Sequence, residues 1–267
     1  MHRRKFLASS IAASTAGFGS VAELEAQQQP ASAGREYYQL RKYCVRAGPQ
    51  TKLTHTYLEK ALVPALNRLG FSPVGVFDLY LGPETPVVYV LMPGSSIEAL
   101  AMAEFGLAKD DAFVKAAQPF WNAPAKEPAF DRVDSDLFVA FEGYPKLTVP
   151  PPTAQKGKRV FQLRTYESPS NADHVRKVEM FNSGEYDIFK KAGFWSVFYG
   201  DALIGSHLPQ LTYMLCFSDL SELVDKWKAF TTDPDWKKLT GSPRFSYESI
   251  VTNTTNLILN PADYSQI

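Results

Sequence analysis

"YQLRKY", Tyr38 to Tyr43, returns as "FQLRTY", Phe161 to Tyr166, 123 residues further on, and the fold follows from reading these six residues twice. The same offset carries Gly70-Phe71 onto Gly193-Phe194 and Ile97-Glu98 onto Leu220-Ser221. One displacement shared by separate stretches marks a unit that was duplicated and then diverged. Alternation along the first copy puts Gln39, Arg41 and Tyr43 on one strand face and Tyr38, Leu40 and Cys44 on the other.

Outward from that strand, Leu58, Ala61, Leu62, Ala65, Leu66 and Leu69 recur at helical spacing, which predicts a helix over residues 54–69 stopped by Gly70. Pro64 lies inside it and removes one backbone hydrogen bond, so a kink is expected near residues 59–61. Strands are expected over 72–81 and 87–91, and Ser95 with Glu98 has capping-box spacing for a helix reaching about 105. A helical piece near 111–117 and a closing strand over 137–142 complete the unit.

The second copy repeats the order. It has a strand over 159–166, a helix over 171–192 ended by Gly193, and strands over 194–198 and 211–217. A helix from Asp219 follows, with Leu220, Leu223, Val224, Trp227 and Phe230 as its buried stripe, and then a last strand or hairpin within 245–259. Each unit reads β-α-β-β-α-β, the ferredoxin-like order of an antiparallel sheet with both helices on one face. Two such sheets can bury each other's bare face. The fold class expected is therefore α+β, tandem ferredoxin-like repeats of the dimeric α/β-barrel type, antiparallel sheets inside and helices outside.

The domain reading is a signal over 1–26, a linker over 27–35, a divergent first repeat over 36–148, a proline-rich linker over 149–158 and a second repeat over 159–267. Arg3-Arg4-Lys5-Phe6-Leu7 before a mildly apolar run resembles a twin-arginine export signal, which implies a periplasmic or secreted protein. With 28 basic and 28 acidic residues the chain has no net field to draw in nucleic acid or an anionic membrane. The mature form is expected to hold no membrane segment. Cys44 and Cys216, one in each copy, read as two free thiols.

The second copy resembles the NIPSNAP domain of the dimeric α/β-barrel superfamily. The resemblance rests on "LRTY" at Leu163 to Tyr166, Gly193-Phe194-Trp195, "FYGDALIG" at Phe198 to Gly205, "TYMLCFSDL" at Thr212 to Leu220, and "DPDW" at Asp233 to Trp236. The first copy shares "LRKY" at Leu40 to Tyr43 and little else. The family often shows a His and a Trp where this chain has Tyr213 and Leu215, so a role tied to that His is not carried over. The resemblance implies a fold and hands over no agreed reaction; superfamily relatives include metal-free monooxygenases, haem-handling proteins and binding modules.

Candidate functional residues come from comparing the copies. With the first helices aligned at His55 and His174, Leu58, Leu62 and Leu66 face Lys177, Phe181 and Glu185. At about 100° per residue, His174, Lys177, Phe181 and Glu185 share the face laid on the sheet. Two charges where leucines stood propose a polar pocket there, closed by Tyr213, for a small organic ligand; the alternative is a helix broken at Asn182-Ser183-Gly184 with both charges reaching solvent. His174 is the candidate general base. Gln39, Arg41 and Tyr43, with Gln162, Arg164 and Tyr166, read as a structural polar layer between the sheets. Four histidines without a carboxylate at ligand spacing give no metal site. No cofactor is expected, and a haem on His174 or His55 has no support in the sequence. A homodimer through exposed strand edges is the expected further assembly.

The functional expectation is a small-molecule-binding barrel. The alternatives are a cofactor-independent monooxygenase or isomerase with a His base, and a structural or partner-binding protein.

Overall fold

Strand parity sorts this chain into three cores. In the computed structural model, which describes residues 34–267, the first strand, β1 (Tyr37–Cys44), sends Tyr38 and Leu40 into one cluster and Tyr43 into another. The signal expected over 1–26 and most of the linker after it lie outside the described residues.

From β1 the chain enters α1 (Pro49–Tyr57), a π turn (Leu58–Leu62) and α2 (Val63–Arg68). The π turn sits where Pro64 removes a backbone donor, at the expected kink. Gly70, at φ 89°, ends the helix, and Phe71 N–H reaches back to Leu66 C=O at 2.9 Å. Then come β2 (Gly75–Leu81), β3 (Val87–Gly94), α3 (Ile97–Ala101), α4 (Ala103–Leu107), α5 (Asp111–Trp121) and β4 (Arg132–Ala140). The cap of α3 is Ser96, accepting from Ala99 N–H at 3.2 Å, one residue beyond the Ser95 box expected from spacing.

The proline-rich stretch expected to be a plain spacer contains one helical turn, α6 (Pro151–Ala154), because proline suits the first helical positions. The order then recurs with β5 (Val160–Glu167), α7 (Asn171–Met180), a second π turn (Phe181–Glu185) and α8 (Tyr186–Lys191). It goes on through β6 (Trp195–Ile204), β7 (Gln210–Phe217), α9 (Leu220–Thr232) and α10 (Pro234–Thr240) to α11 (Tyr247–Ile250) and β8 (Asn253–Pro261). Where a strand or hairpin was expected from 245, the short α11 intervenes and the strand starts at Asn253. Of the stripe expected on α9, Phe230 is buried and Leu223 and Trp227 pack on the core, whereas Leu220 and Val224 are exposed.

The eight strands close into an antiparallel barrel in the order β1-β3-β2-β8-β5-β7-β6-β4. Each half contributes the ferredoxin-like order of four strands, and the halves join through β2 with β8 and β4 with β6. The barrel is filled by Tyr38, Leu40, Phe77, Phe161, Leu163, Met214 and their neighbours. The other faces pack under the helices as two further cores. β7 is buried along its whole length, covered by barrel contents on one side and helices on the other.

Two sequence expectations are corrected here. The polar layer does not lie between the sheets, because "LR" gives the leucine to the barrel interior and the arginine to the helix side. Closure also removes the free strand edges through which a dimer was expected to form. Cys44 and Cys216 are free, and burial pushes the Cys216 thiol up to about 12. No helix among the described residues is long and apolar enough to cross a membrane.

Candidate functional site

The arginine of each "LR" pair stands on the outer sheet face, and what the helices lay over it differs between the halves. In the second half Arg164 stacks on Trp227 of α9 at 4.3 Å and donates to the Tyr166 hydroxyl from Nε and Nη2 at 3.1 and 2.8 Å. Tyr166 and Tyr213 share a 2.7 Å hydroxyl contact, and Trp227 Nε1 donates to Gln162 at 2.6 Å. The indole is thus a plug held at both ends.

Beneath α7 lie the charges singled out in the sequence. Lys177 and Glu185 are 0% and 1% exposed and meet at 2.7 Å. The Lys177 ammonium also lies 4.4 Å from the Phe181 ring centre, and Phe181 packs against Tyr213 at 5.6 Å. Burial pushes the lysine down and the glutamate up, and each holds its partner's charge against that trend. The backbone does break at Gly184, with φ 133°, as the alternative reading expected, but the charges do not reach solvent. The π turns explain why. Leu58–Leu62 and Phe181–Glu185 keep the 123 offset, so four extra residues, about one turn, lie between His174 and its π turn. An added turn preserves the face, and it makes Leu58 and Leu62 the counterparts of Phe181 and Glu185. Lys177, Phe181, Glu185 and Tyr213 are brought together in a packed cluster filled by protein. His174 faces elsewhere.

In the first half the place of Trp227 is taken by Glu104 of α4, again 123 residues earlier. Its carboxylate pairs with Arg41 Nη1, while Arg41 Nε and Nη2 donate to Gln39 Oε1 at 3.2 and 3.0 Å. Gln39 Nε2 donates in turn to Ser135 Oγ at 2.9 Å. A glutamate is smaller than an indole, and a cleft of about 420 Å³ remains open over the arginine. Its wall carries Tyr57, Phe120, Trp121 and Phe130; the rings of Tyr57 and Phe120 stack at 3.9 Å, and Trp121 and Phe130 stay 41% and 37% exposed. Arg41 itself is only 5% exposed, so its guanidinium meets the outside through this opening. A larger groove of about 830 Å³ runs along the end of the barrel past Lys156, Lys158 and Arg159, but it lacks such a buried polar floor.

Each half also holds a His–Asp pair. His55 Nε2 meets Asp78 at 2.9 Å and its Nδ1 meets the Tyr264 hydroxyl at 2.7 Å. The Asp78 carboxylate raises the His55 pKa. His174 Nε2 meets Asp201 at 2.7 Å. Neither imidazole offers Nε2 to a cleft as a haem ligand would require, and among the described residues no group of three or more His, Cys, Asp or Glu converges on one point. Sequence reading missed both aspartates, Glu104 and the aromatic wall. Carrying the offset of 123 past the first strands pairs Asp78 with Asp201 and Glu104 with Trp227, so the signal was present.

Residues 161–266 match the NIPSNAP family model. The match thus covers the half carrying the Trp227 plug, and the Arg41 cleft lies before it. No curated protein matches the chain. Among solved structures it is similar to a candidate monooxygenase from Lactobacillus acidophilus, with 10% identity, TM-score 0.55 and coverage of 85% of this chain and 94% of that one. A candidate monooxygenase from Fusobacterium nucleatum is similar at 9% identity and TM-score 0.54, covering 86% and 93%. An anthrone oxidase-like protein follows at 9% identity and TM-score 0.50, covering 87% and 93%. At such identities the likeness is one of fold, and it extends over both halves.

Proposed function

We propose that this chain is an exported NIPSNAP-domain protein of two tandem repeats that binds a small organic molecule, with the open site in the first repeat and not the second. The observation that carries the reading is the exchange of Trp227 for Glu104 over otherwise corresponding arginines. A buried guanidinium at the floor of an aromatic-walled cleft suits a planar ligand bearing a carboxylate, with the rings of Phe130 and Trp121 against its face. Glu104, with its side chain half exposed, then holds the place of the ligand's carboxylate in the empty state and swings out when the ligand arrives.

The test is a calorimetric titration of the full chain with benzoate and larger aromatic carboxylates, alongside the uncharged amides. Saturable binding of the acids over the amides supports the reading, and equal or absent binding of both classes removes it. Glu104→Gln is expected to bind the acids more tightly, because the competing charge is gone.

A second reading, a cofactor-independent oxygenase or isomerase with a histidine base, draws support from the His–Asp pairs in both halves. Turnover of an activated carbonyl or phenolic substrate that is lost in His174→Ala or His55→Ala would favour it over simple binding.

A further inference from the structure

The two His–Asp pairs differ at one atom. His55 has both ring nitrogens engaged, Nε2 by Asp78 and Nδ1 by the Tyr264 phenol. His174 is 8% exposed, and with Nε2 on Asp201 its Nδ1 is buried without a partner among the described residues. With Nε2–H donating to the Asp201 side chain, Nδ1 of the neutral imidazole is a bare acceptor. Buried polar atoms are nearly always satisfied, so an orphan of this kind points to a missing donor.

What is missing can be read from the first half. The segments that follow β8 and β4 run alike: Ala262 N–H donates to Val76 C=O at 2.9 Å and Phe141 N–H to Tyr199 C=O at 3.1 Å, both followed by a turn in which Ser265 and Tyr144 donate back to Ala262 and Phe141. In that correspondence Tyr264 is matched by Gly143. A side chain at 143 would require Asn182 and Tyr186 to move, since a Cβ there would come within 2.5 Å of Asn182 Oδ1 and 2.6 Å of the Tyr186 ring. No tyrosine therefore stands at the place of Tyr264 in the second half. In its place a cleft of about 380 Å³ has Phe141, Val175 and Val178 among its apolar lining and Arg35, Glu179 and Asp201 among its polar lining. It reaches Asp201 of the pair and the two valines that neighbour His174 on α7, with the imidazole itself outside the lining.

We propose that this cleft is a binding site for a small phenol whose hydroxyl donates to His174 Nδ1, in the role that Tyr264 plays toward His55. Asp201 fixes the tautomer that leaves Nδ1 as acceptor, and Val175 and Val178 supply the apolar contact for the ring. Because Nδ1 is closed to solvent, entry requires a rotamer change in the side chains above it, an ordinary extent of motion on binding. This site is separate from the Arg41 cleft, and its fate does not depend on that reading.

The probe is p-cresol, the tyrosine side chain itself, with 4-methylanisole, its methyl ether, as the control that lacks the donor. In a titration of the full chain followed by nitrogen-15 spectra of the imidazoles, p-cresol is expected to move the His174 Nδ1 resonance saturably and to leave His55 unmoved. 4-Methylanisole should bind at least about tenfold more weakly, since the acceptor then stays unpaired. His174→Gln should weaken p-cresol by a similar factor. The wild-type spectra decide the matter if that variant is poorly folded. An unmoved Nδ1 resonance, or equal binding of phenol and ether, overturns the proposal, as does a crystal structure with water on Nδ1 and p-cresol elsewhere.

Discussion

The two halves of the barrel carry the same arginine on the same strand under the same pair of helices, and they use it differently. Around Arg164 the second half is packed shut by Trp227, Tyr166 and Tyr213, with the Lys177–Glu185 pair sealed beneath α7. Around Arg41 the first half puts leucines in the helix and a glutamate at the mouth, and a cleft opens. Buried charge therefore does not mark the open site in this fold. The half with more buried charge is the closed one, because a lysine and a glutamate at 2.7 Å satisfy each other.

The largest effect is expected from removing one member of the sealed pair. Lys177→Leu or Glu185→Leu alone leaves a buried charge uncompensated and should cost about 3–5 kcal/mol by urea unfolding, whereas the two leucines together should be neutral or stabilising. A double variant as unstable as either single one would mean that the pair holds something beyond itself. Next in size is the plug. Trp227→Glu removes a partly buried indole and its bond to Gln162, and about 2 kcal/mol of stability should go with it.

The reverse exchange, Glu104→Trp, should fill the first-half cleft, weaken aromatic carboxylates at least about tenfold and leave stability within about 1 kcal/mol of wild type. The smallest effect concerns pH. Asp78 raises the His55 pKa, so this pair stabilises the fold fully below the unfolded histidine value of about 6.5 and loses that contribution as pH rises through the higher folded value. Thermal unfolding of Asp78→Asn should fall below wild type at pH 5 by less than about 1 kcal/mol, and the gap should close by pH 9. A gap that widens with pH would contradict the assigned partner.

Much of this was legible in the sequence. The repeated "QLR" motif with a shared offset implied paired ferredoxin-like units, and alternation put Gln39, Arg41 and Tyr43 on one face. Pro64 announced a kink, which takes the form of a π turn. Which face looks inward was not legible, because a leucine on one side and an arginine ringed by tyrosines on the other can each be buried. The extra turn in the second helix hid the true counterparts of Phe181 and Glu185, since an added turn leaves the apolar stripe unchanged. The open cleft escaped because it is defined by the size of one side chain, Glu104 against Trp227, on helices whose pattern otherwise matches.

Glu104 against Trp227 decides which arginine is open, and a chain with the two residues swapped isolates that exchange. In Glu104→Trp/Trp227→Glu, benzoate titrated against the side-chain N–H resonances of the arginines should leave Arg41 undisturbed and perturb Arg164, where wild type shows the opposite. Perturbation that stays at Arg41 in the folded swap would contradict the account.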